Sequence, residues 1–493
     1  MKGARRRCRS PLLLLFALFS AAGCAVLENT ESIEGTEEAG ATVTVLAQYV
    51  VVGFSAIEQA PAALARAVVD GAGVACPPVV FSDSRAPLPM QPRPNPDPAA
   101  FGVTVCEAAV SVDDGISARV RGSTTPLALP PSSGVRGDKI AIIADSGCKD
   151  DERQPCTEDA WLFPRIAAAA AAAAPDLVLH LGDYNYRGTP SKTAAGEWSY
   201  DGCLPEGRQP IVDQRTRDNW ETWQADFFEP ARPLLDAAPW VVVRGNHELC
   251  SRAGQGWFYF LDGHSTLLDP DVAPPSCNAP IVQTDPYALS LPNLDLVVLD
   301  SANACGGEAP QSAAATEQEV ASFARQFDAV NQFVAAGSRP AWLLSHRPIW
   351  GIARYGTGPS EIITDTLQKA LHASLVQKLA DAFSIVMSGH MHEFESITFS
   401  GNRQPQLIVG DSGVELSTDV LAPGFENTMI DGIAANGIVN DTVNGYLLAE
   451  VQDGAHWSAT LFGFTAERDE AIPMVRCGLP AAGAVCTTVE PGR

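Results

Sequence analysis

Six apolar runs in the middle of the chain each end on a polar residue, and this pattern restricts the possible folds more than any other feature. In open α/β sheets, ligands bind just beyond the carboxyl ends of strands, on loops held by a rigid scaffold. The six endings are Asp145, Asp183, Asn246 with His247, Asp300, His346, and His390 with His392. Five of them can bind metal, so the pattern predicts a metal site at a sheet edge.

The first 23 residues are typical of a signal peptide. Four arginines between Arg5 and Arg9 precede a short apolar core, Leu12–Phe19. The following Ala21–Cys24 segment resembles the lipobox of bacterial lipoproteins, in which the cysteine is acylated. We therefore expect an exported protein of the periplasm or cell envelope that is lipid-anchored at Cys24, or otherwise secreted. Residues 24–40 are acidic and rich in Thr and Gly, which suits a flexible tether.

The net charge narrows the choice of partners. Cleavage after residue 23 would remove Lys2 and four arginines but no acid, so the formal charge of −25 would become −30. Such a charge argues against binding nucleic acid through its phosphates. A small phosphorylated substrate would need local positive charge, which bound metal could supply. We expect contact with a membrane only through the N-terminal lipid.

Cysteine usage also favours export. Without Cys8 and Cys24 an even number remains, which in an exported chain suggests disulfides. Pairing of neighbours along the chain is the simplest hypothesis: Cys76–Cys106, Cys148–Cys156, Cys203–Cys250, Cys277–Cys305 and Cys477–Cys486. None of these cysteines forms a CxxC pair, so thiolate zinc sites are not expected.

The chain of 493 residues is too long for one ordinary domain. Residues 41–123 contain short β-type runs and turn signals, which favour a small all-β sandwich of immunoglobulin or fibronectin type. A helix over Ile57–Val69 is the alternative for one of its segments. Residues 124–137 are predicted to be a linker.

From residue 138 to 493, apolar β-runs alternate with helical patterns, so we predict an α/β (α+β) domain over this range. Near-continuous apolar strands between helices indicate a sheet that is covered on both faces. Apolar spacing and helix-forming residues predict four helices, at Ile166–Ala174, Asp218–Asp236, Ala314–Ala336 and Thr364–Phe383.

Asp183 is suited to bridge two cations, because a carboxylate can offer one oxygen to each. Two metal ions about 3.5–4 Å apart can clamp a phosphoryl group and activate water for in-line attack. Each ion needs several protein ligands. The predicted set is Asp145, Asp183, Tyr186, Asn246, His346, His390 and His392.

Five short motifs in this region occur in a fixed order. They are DxG at Asp145, GDxxY at Gly182–Tyr186, GNHE at Gly245–Glu248, an apolar residue three before His346, and GHxH at Gly389–His392. Together they resemble the five blocks of calcineurin-like metallophosphoesterases, and DxG with GDxxY resembles the purple acid phosphatase branch. The resemblance implies a two-sheet sandwich flanked by helices, with the site at the strand ends.

The resemblance also implies a role for each residue. Asp145, Asp183, Tyr186 and His392 would bind a ferric ion. Asp183 would bridge to a divalent Fe, Zn or Mn ion that Asn246, His346 and His390 also hold. His247 would contact the phosphoryl group and assist the leaving oxygen. A free phenol has a pKa of about 10, so a tyrosine ligand requires a strongly acidifying metal, and an acidic pH optimum is expected.

The expected activity is hydrolysis of phosphomonoesters by in-line attack of a metal-bound hydroxide. A phosphodiesterase or nucleotidase with the same metals is one alternative, and a non-catalytic surface binding lipoprotein is another. Tyr186 could instead be structural beside two divalent ions.

For three further residues the sequence favours structural roles or leaves the role open. Asp300 ends its run without a partner motif, so a cap or turn role is expected. The roles of Arg244 and Arg347, beside two ligand blocks, stay open between phosphate binding and structural ion pairs.

Overall fold

A computed structural model describes most of the chain from residue 43 onward. The described residues are 43–54, 61–150, 154–187, 218–250, 252–277, 283–304, 313–335, 339–355, 358–361, 365–417, 424–465, 470–478 and 485–489. The predicted signal peptide, the tether and Cys24 lie outside these ranges, as do Cys203 and Cys305.

The strands, in chain order, are β1 (Val45–Phe54), β2 (Pro61–Asp70), β3 (Val79–Phe81), β4 (Gln91–Pro92), β5 (Val103–Ala109), β6 (Ala118–Val120), β7 (Lys139–Ile143), β8 (Leu177–His180), β9 (Trp240–Val242), β10 (Tyr287–Ser290), β11 (Asp295–Val298), β12 (Ala341–Leu344), β13 (Ile352–Tyr355), β14 (Gly358–Glu361), β15 (Phe383–Ser388), β16 (Phe394–Phe399), β17 (Gln406–Val409), β18 (Gly424–Ile430), β19 (Ile433–Asn440), β20 (Asn444–Asp453), β21 (His456–Phe464), β22 (Ile472–Gly478) and β23 (Val485–Thr488). The helices are α1 (Phe163–Ala172), α2 (Trp220–Trp223), α3 (Glu229–Leu235), α4 (Gly254–Phe260), α5 (Ala313–Ala335) and α6 (Asp365–Ala373).

Two large mixed sheets form the centre of the described part of the chain. The larger has the order β23-β22-β21-β20-β7-β8-β9-β1-β2-β5-β4, and the other has the order β10-β11-β12-β15-β17-β16-β19-β18. β7, β8 and β9 run parallel in the first sheet. β11, β12 and β15 run parallel in the second. The two-sheet architecture that the sequence predicts is therefore confirmed.

Alternation along each central strand explains the layers. In β8, Leu177 and Leu179 face a core shared by the two sheets, whereas Val178 faces the core beneath α1 and α3. In β12, Leu344 likewise faces the shared core, while Leu343 packs towards α5 and α6. Successive strand residues point to opposite faces, so strands covered on both sides read as unbroken apolar runs.

The predicted helices are present, with shifted bounds. The segment at 218–236 forms α2, a π-helical turn at Gln224–Phe228 and then α3, and its start is capped by Asn219, whose side chain accepts from the Thr222 N–H. α6 ends at Ala373, ten residues before the predicted end at Phe383. The chain turns there because the Ser374 hydroxyl donates back to the Leu371 carbonyl, at 2.7 Å.

The N-terminal β-rich region is confirmed, and its strands also extend the larger sheet. β1 lies beside β9, and β2 and β5 follow it outward. The other face of these strands packs on β3 and β6 around a separate apolar core. The possible helix at Ile57–Val69 is a strand from Pro61 onward, because β2 is paired on both sides and buried. The boundary at residues 124–137 stays a prediction.

Buried charges tie this region to α4. Arg66 and Arg93 both contact Glu107, with nitrogen–oxygen distances of 3.2 and 2.8 Å. The same guanidiniums donate to carbonyls at the end of α4, Arg93 to Phe258 and Arg66 to Phe260, at 2.9 and 2.8 Å. Cations favour the carboxyl ends of helices, so residues of the N-terminal β-rich region cap a helix that follows residue 138 in the chain.

Disulfides join Cys76–Cys106, Cys148–Cys156 and Cys477–Cys486, as predicted. The predicted Cys203–Cys250 and Cys277–Cys305 pairs are wrong, because Cys250 pairs with Cys277. The path of the chain after α4 brings residue 277 back over the GNHE loop, which spacing in the sequence does not reveal. The disulfides are consistent with an exported protein.

Among the described residues, none of the helices has the length and apolar character needed to cross a membrane.

Candidate metal centre

All six apolar runs are strands, and five of their carboxyl ends converge where the two sheets meet. The ends of β7 and β8 are joined by a hydrogen bond from the Asp145 N–H to the Gly182 carbonyl, at 2.9 Å. The two sheets are joined by a bond of 2.7 Å from the His390 N–H to Asp145 Oδ2. The predicted ligands therefore form one cluster in space.

The phenol oxygen of Tyr186 lies at the centre of the first half of this cluster. It is 2.6 Å from Asp145 Oδ1, 2.9 Å from Asp183 Oδ2 and 3.0 Å from His392 Nε2. All four predicted ligands of the first ion thus lie around one point.

These contacts contain too few protons to be hydrogen bonds among themselves. The Glu415 carbonyl can only accept, so His392 donates to it through Nδ1, at 3.1 Å. Burial, and then the charge of Lys149, lower the pKa of His392 to about 3, so its imidazole is neutral and Nε2 carries a lone pair. The phenol proton, together with a proton on Asp145 when that carboxyl is neutral, gives at most two protons for three contacts. A cation coordinated by four such atoms fits this arrangement.

The second half of the cluster brings further potential ligand atoms together. His346 Nδ1 contacts the Leu181 carbonyl at 2.8 Å, which leaves Nε2 facing Asn246 Oδ1 at 2.9 Å and Asp183 Oδ2 at 3.2 Å. Ligand atoms of Asp183, His346 and His390 lie within 4.8 Å of one another. A backbone acceptor that orients the far nitrogen is the usual support of a metal-binding histidine.

The pKa values of the buried ligand side chains also favour bound cations. Burial raises the pKa of Asp145 to about 8. Burial disfavours ionisation of Asp183 too, but His346 and His247 hold its pKa well below the usual value. The pKa of His346 rises to about 9 because attraction to Asp183 outweighs burial. Burial and the neighbouring carboxylates raise the pKa of Tyr186 well above its usual value. Bound cations would favour the ionised forms of these acids.

His247 lies at the rim of the cluster, with its side chain 14% exposed. Its N–H donates to Asp183 Oδ1 at 2.9 Å, and its Nε2 is 3.9 Å from Asp183 Oδ2. Burial, and then the charge of Arg252, lower its pKa well below the usual value. The ring packs on Tyr186, with centroids 3.8 Å apart. The predicted phosphoryl-contacting residue is therefore next to the predicted ligands.

Glu248 organises two ligand loops without being a ligand. Its carboxylate accepts from the N–H groups of Asp183, Tyr184, Asn185 and Gly245, at 2.8–3.2 Å. The side chain is buried, and burial raises its pKa to about 8 against the lowering effect of these donors. The GNHE loop and the GDxxY loop are thus held on one carboxylate.

Two glycines make this close packing possible. A β-carbon at Gly245 would lie 2.1 Å from Asp183 Oδ1, and one at Gly182 would lie 2.4 Å from His346 Nδ1. Gly182 also has a φ of +107°, a conformation that other residues rarely adopt.

The sixth strand end, Asp300, has a structural role. It accepts from the Ala302 N–H at 3.1 Å, as a turn residue would, and forms a buried ion pair with Arg244 at 2.8 Å. Arg347 contacts His390 Nε2 at 3.2 Å. The two arginines therefore differ: Arg244 supports a loop, whereas Arg347 reaches a predicted ligand.

Two neighbours of the site carry no signal in the sequence. Arg252 Nη2 is 2.6 Å from His247 Nδ1, and Ser146 Oγ is 2.8 Å from His180 Nε2. Arg252 lies outside the five motifs and Ser146 occupies the variable position of DxG, so only the tertiary contacts show their place.

Three comparisons with known proteins bear on this site. The model of the calcineurin-like phosphoesterase family matches residues 138–394. Among the curated proteins compared, none matches the chain. A purple acid phosphatase, PPD1, from yellow lupin (Lupinus luteus) seeds has 13% identity and a TM-score of 0.49, over 86% of this chain and 73% of that one. GAP50, described as the anchor in the inner membrane complex of Plasmodium, has 12% identity and a TM-score of 0.34, over 68% of this chain and 87% of that one.

The match with the family model covers more than half of the chain and includes all five motif blocks. It confirms the predicted superfamily and enzyme class, a metal-dependent phosphoric ester hydrolase. From the sequence motifs, the strand-end cluster and this match, we conclude that the chain belongs to the calcineurin-like phosphoesterase family.

Proposed function

We propose that the chain is an exported phosphatase with two metal ions that hydrolyses phosphomonoesters in the manner of purple acid phosphatases. The observation that carries this proposal is the position of the Tyr186 oxygen, within 3.0 Å of Asp145, Asp183 and His392. A tyrosine ligand at this point would favour a ferric ion over a site of two divalent ions.

The proposed identity of each metal ion is argued from the chemistry of the side chains that would bind it. Burial and nearby carboxylates oppose ionisation of Tyr186, so only a strongly acidifying cation would hold it as a phenolate. Asp145, Asp183, Tyr186 and His392 would hold Fe(III). Asp183 would be shared with a divalent Fe, Zn or Mn ion, whose other ligands would be Asn246, His346 and His390.

The surrounding residues serve substrate binding. When bound, the two ions would supply Lewis acidity. They would also lower the pKa of bound water, so that hydroxide would be available at acidic pH. His247 lies at the open side of the cluster and would contact the phosphoryl group. Arg252 contacts His247 and Arg347 contacts His390, so both bring positive charge to the site in a chain of formal charge −25. Phosphate dianions would thus meet local positive potential despite the overall charge.

Metal analysis with a visible spectrum tests the ferric site. We expect iron in the purified protein, with a tyrosinate charge-transfer band that disappears in Tyr186→Phe. Tyr184→Phe is the matched control, because the Tyr184 hydroxyl contacts the His180 and Val243 carbonyls, neither of which belongs to a predicted ligand. Iron-loaded wild type without the band would instead favour two divalent ions beside a structural Tyr186.

Rates on three substrate types test the reaction. We expect an aryl phosphomonoester to be hydrolysed faster than a bis-aryl phosphodiester or a nucleotide. Preference for the diester or nucleotide would favour the alternative enzyme classes. Full metal occupancy without turnover of any of them would favour a binding lipoprotein.

The pH–rate profile is a further check. A ferric ion acidifies water strongly, so the optimum should lie below pH 7. A maximum above pH 8 would contradict the assignment.

Export with a lipid anchor at Cys24 is the last part of the proposal, and the protein would be in the periplasm or cell envelope. Labelling with a fatty acid in a bacterial host should mark the wild type and not Cys24→Ser. Secretion of unlabelled wild type would indicate ordinary cleavage instead.

A further inference from the structure

His247 Nδ1 has two polar neighbours, and it can form a hydrogen bond with only one of them at a time. Arg252 Nη2 lies 2.6 Å away, and the Asn185 carbonyl oxygen lies 3.1 Å away. A guanidinium can only donate, and a carbonyl can only accept. A single ring nitrogen either accepts from Arg252 or donates to Asn185. The Arg252 contact is shorter and charge-assisted, so it prevails.

This choice determines where the proton of His247 is. If Nδ1 accepts from Arg252, the neutral ring carries its hydrogen on Nε2. Nε2 is the nitrogen that faces the predicted ligands, 3.9 Å from Asp183 Oδ2. The ring thus presents an N–H donor to the place where a phosphoryl group would bind.

We propose that Arg252 is a positioning residue that fixes the tautomer of His247, so that its Nε2–H stabilises the leaving oxygen of the substrate. The inference rests on the proposed phosphatase function. Hydroxide forms the new bond to phosphorus, and the ester P–O bond breaks with its electron pair passing to the leaving oxygen. That oxygen accepts a hydrogen bond from Nε2–H, whose hydrogen stays on the ring, and the released alkoxide takes its proton from water.

The local fold holds both groups in place. The Ala253 N–H donates to the His247 carbonyl at 3.0 Å, and the Arg252 N–H donates to the Leu249 carbonyl at 2.8 Å. These two bonds help to place the guanidinium beside the ring. Arg252 is only 8% exposed, and the Tyr186 ring packs on His247 from another side.

The donor should matter most for poor leaving groups. An alkyl phosphate releases an alkoxide of high basicity, which gains more from a hydrogen bond than an aryl oxide does. The substrate class that Arg252 would favour is therefore alkyl phosphomonoesters.

The tautomer of His247 can be measured directly by NMR, without an assay of enzyme activity. The full-length chain is labelled with ¹⁵N-histidine and loaded with zinc, and long-range proton–nitrogen NMR locates the hydrogen on each ring. His247→Gln identifies the signals of His247. We expect the hydrogen on Nε2 in wild type and a shift towards Nδ1 in Arg252→Met, where Asn185 becomes the partner. A hydrogen on Nδ1 in wild type overturns the proposal, even if Arg252→Met fails to fold.

Kinetics supply a second readout. Arg252→Met should lose about tenfold more kcat/KM on an alkyl phosphate than on an aryl phosphate, and Arg252→Lys should restore part of this difference, because lysine still donates. Arg339→Met is the matched control, since Arg339 pairs with Asp295 at the start of β11, the end of that strand away from the predicted ligands. Equal losses on both substrates would contradict the role.

The two proposals can fail separately. Wild type with the hydrogen on Nε2 but without phosphatase activity would refute the proposed function and the leaving-group role. An active wild type with the hydrogen on Nδ1 would refute only the role of Arg252.

Discussion

Four of the predicted ligands have backbone conformations that residues other than glycine rarely adopt. The φ angles of Asp145, Asp183, His390 and His392 are 55°, 61°, 79° and 50°. Such conformations cost about 1–3 kcal/mol each and persist where the surroundings enforce them, often at functional sites. The motifs name these residues, but their conformations depend on hydrogen bonds from distant segments, such as the bond from the His390 N–H to Asp145.

Asp183→Asn should remove the bridging carboxylate. We expect loss of bound metal and a fall in activity of about a hundredfold or more, since even outer-shell changes at metal sites cost 10–100-fold. Asp176→Asn is the control, because Asp176 lies at the other end of β8 and accepts only the Lys139 N–H among the bonds described here. Elemental analysis and kinetics measure both variants. Normal metal content in Asp183→Asn would contradict the assignment.

Gly182→Ala should destabilise the site by more than the cost of placing alanine at a positive φ angle. The new β-carbon would meet His346 Nδ1 at 2.4 Å, whereas at Gly401, with a φ of +88°, it would meet nothing within 4 Å. We expect Gly401→Ala to cost about 1 kcal/mol and to keep its metal. Gly182→Ala should cost more and lose metal. Urea unfolding and metal content separate the two, and equal effects would argue against the close packing.

At the scale of elements, the strand ends place the ligands and the loops orient them. Each of the six strands ends within a few residues of its predicted polar group, so the strands and ligands could be predicted from alternation and order. The shared carboxylate of Glu248, which joins the GNHE and GDxxY loops, could not. Its four donors come from two loops that meet only after folding.

Loss of the Cys250–Cys277 disulfide should loosen the GNHE loop. The double variant Cys250→Ser/Cys277→Ser should lose about 2–4 kcal/mol of unfolding free energy and also activity. The pair Cys477–Cys486 links β22 and β23 and closes a shorter segment, 9 residues against 27. Its removal should cost less stability and leave kcat unchanged. Unchanged kcat in the first variant would mean that the disulfide does not brace the site.

For the molecule as a whole, the larger sheet joins the N-terminal strands to the catalytic strands through β1 and β9. Arg66, Arg93 and Glu107 then connect those strands to the end of α4, just after the GNHE loop. The β-rich character of residues 41–123 was predictable from short runs and turns. Their pairing with β9 was not, because it joins segments nearly two hundred residues apart.

The contribution of Asp411 to stability should fall as pH rises from about 4 to 7. Burial raises the pKa of Asp411 to about 7. A raised pKa adds stability below the unfolded value, about 3.9, and this stability is lost as pH rises through 7, at up to about 1.4 kcal/mol per pH unit.

Asp411→Asn cannot ionise, so its stability relative to wild type should increase steadily over this range. Urea unfolding at pH 4.5, 6 and 7.5 measures the difference, with the exposed Asp381→Asn as control. A constant difference across the three pH values would show that Asp411 does not titrate there.

The linear order of residues was enough to predict the strands, the candidate ligands at five of the six strand ends and the family. This is possible because side-chain alternation and strand ends are local properties, and parallel strands bring their carboxyl ends to one edge. Tertiary structure alone decided the Cys250–Cys277 pair, the four donors to Glu248, the continuous sheet and the contact of Arg252 with His247. Each depends on which distant segments pack together, and no local pattern records that choice.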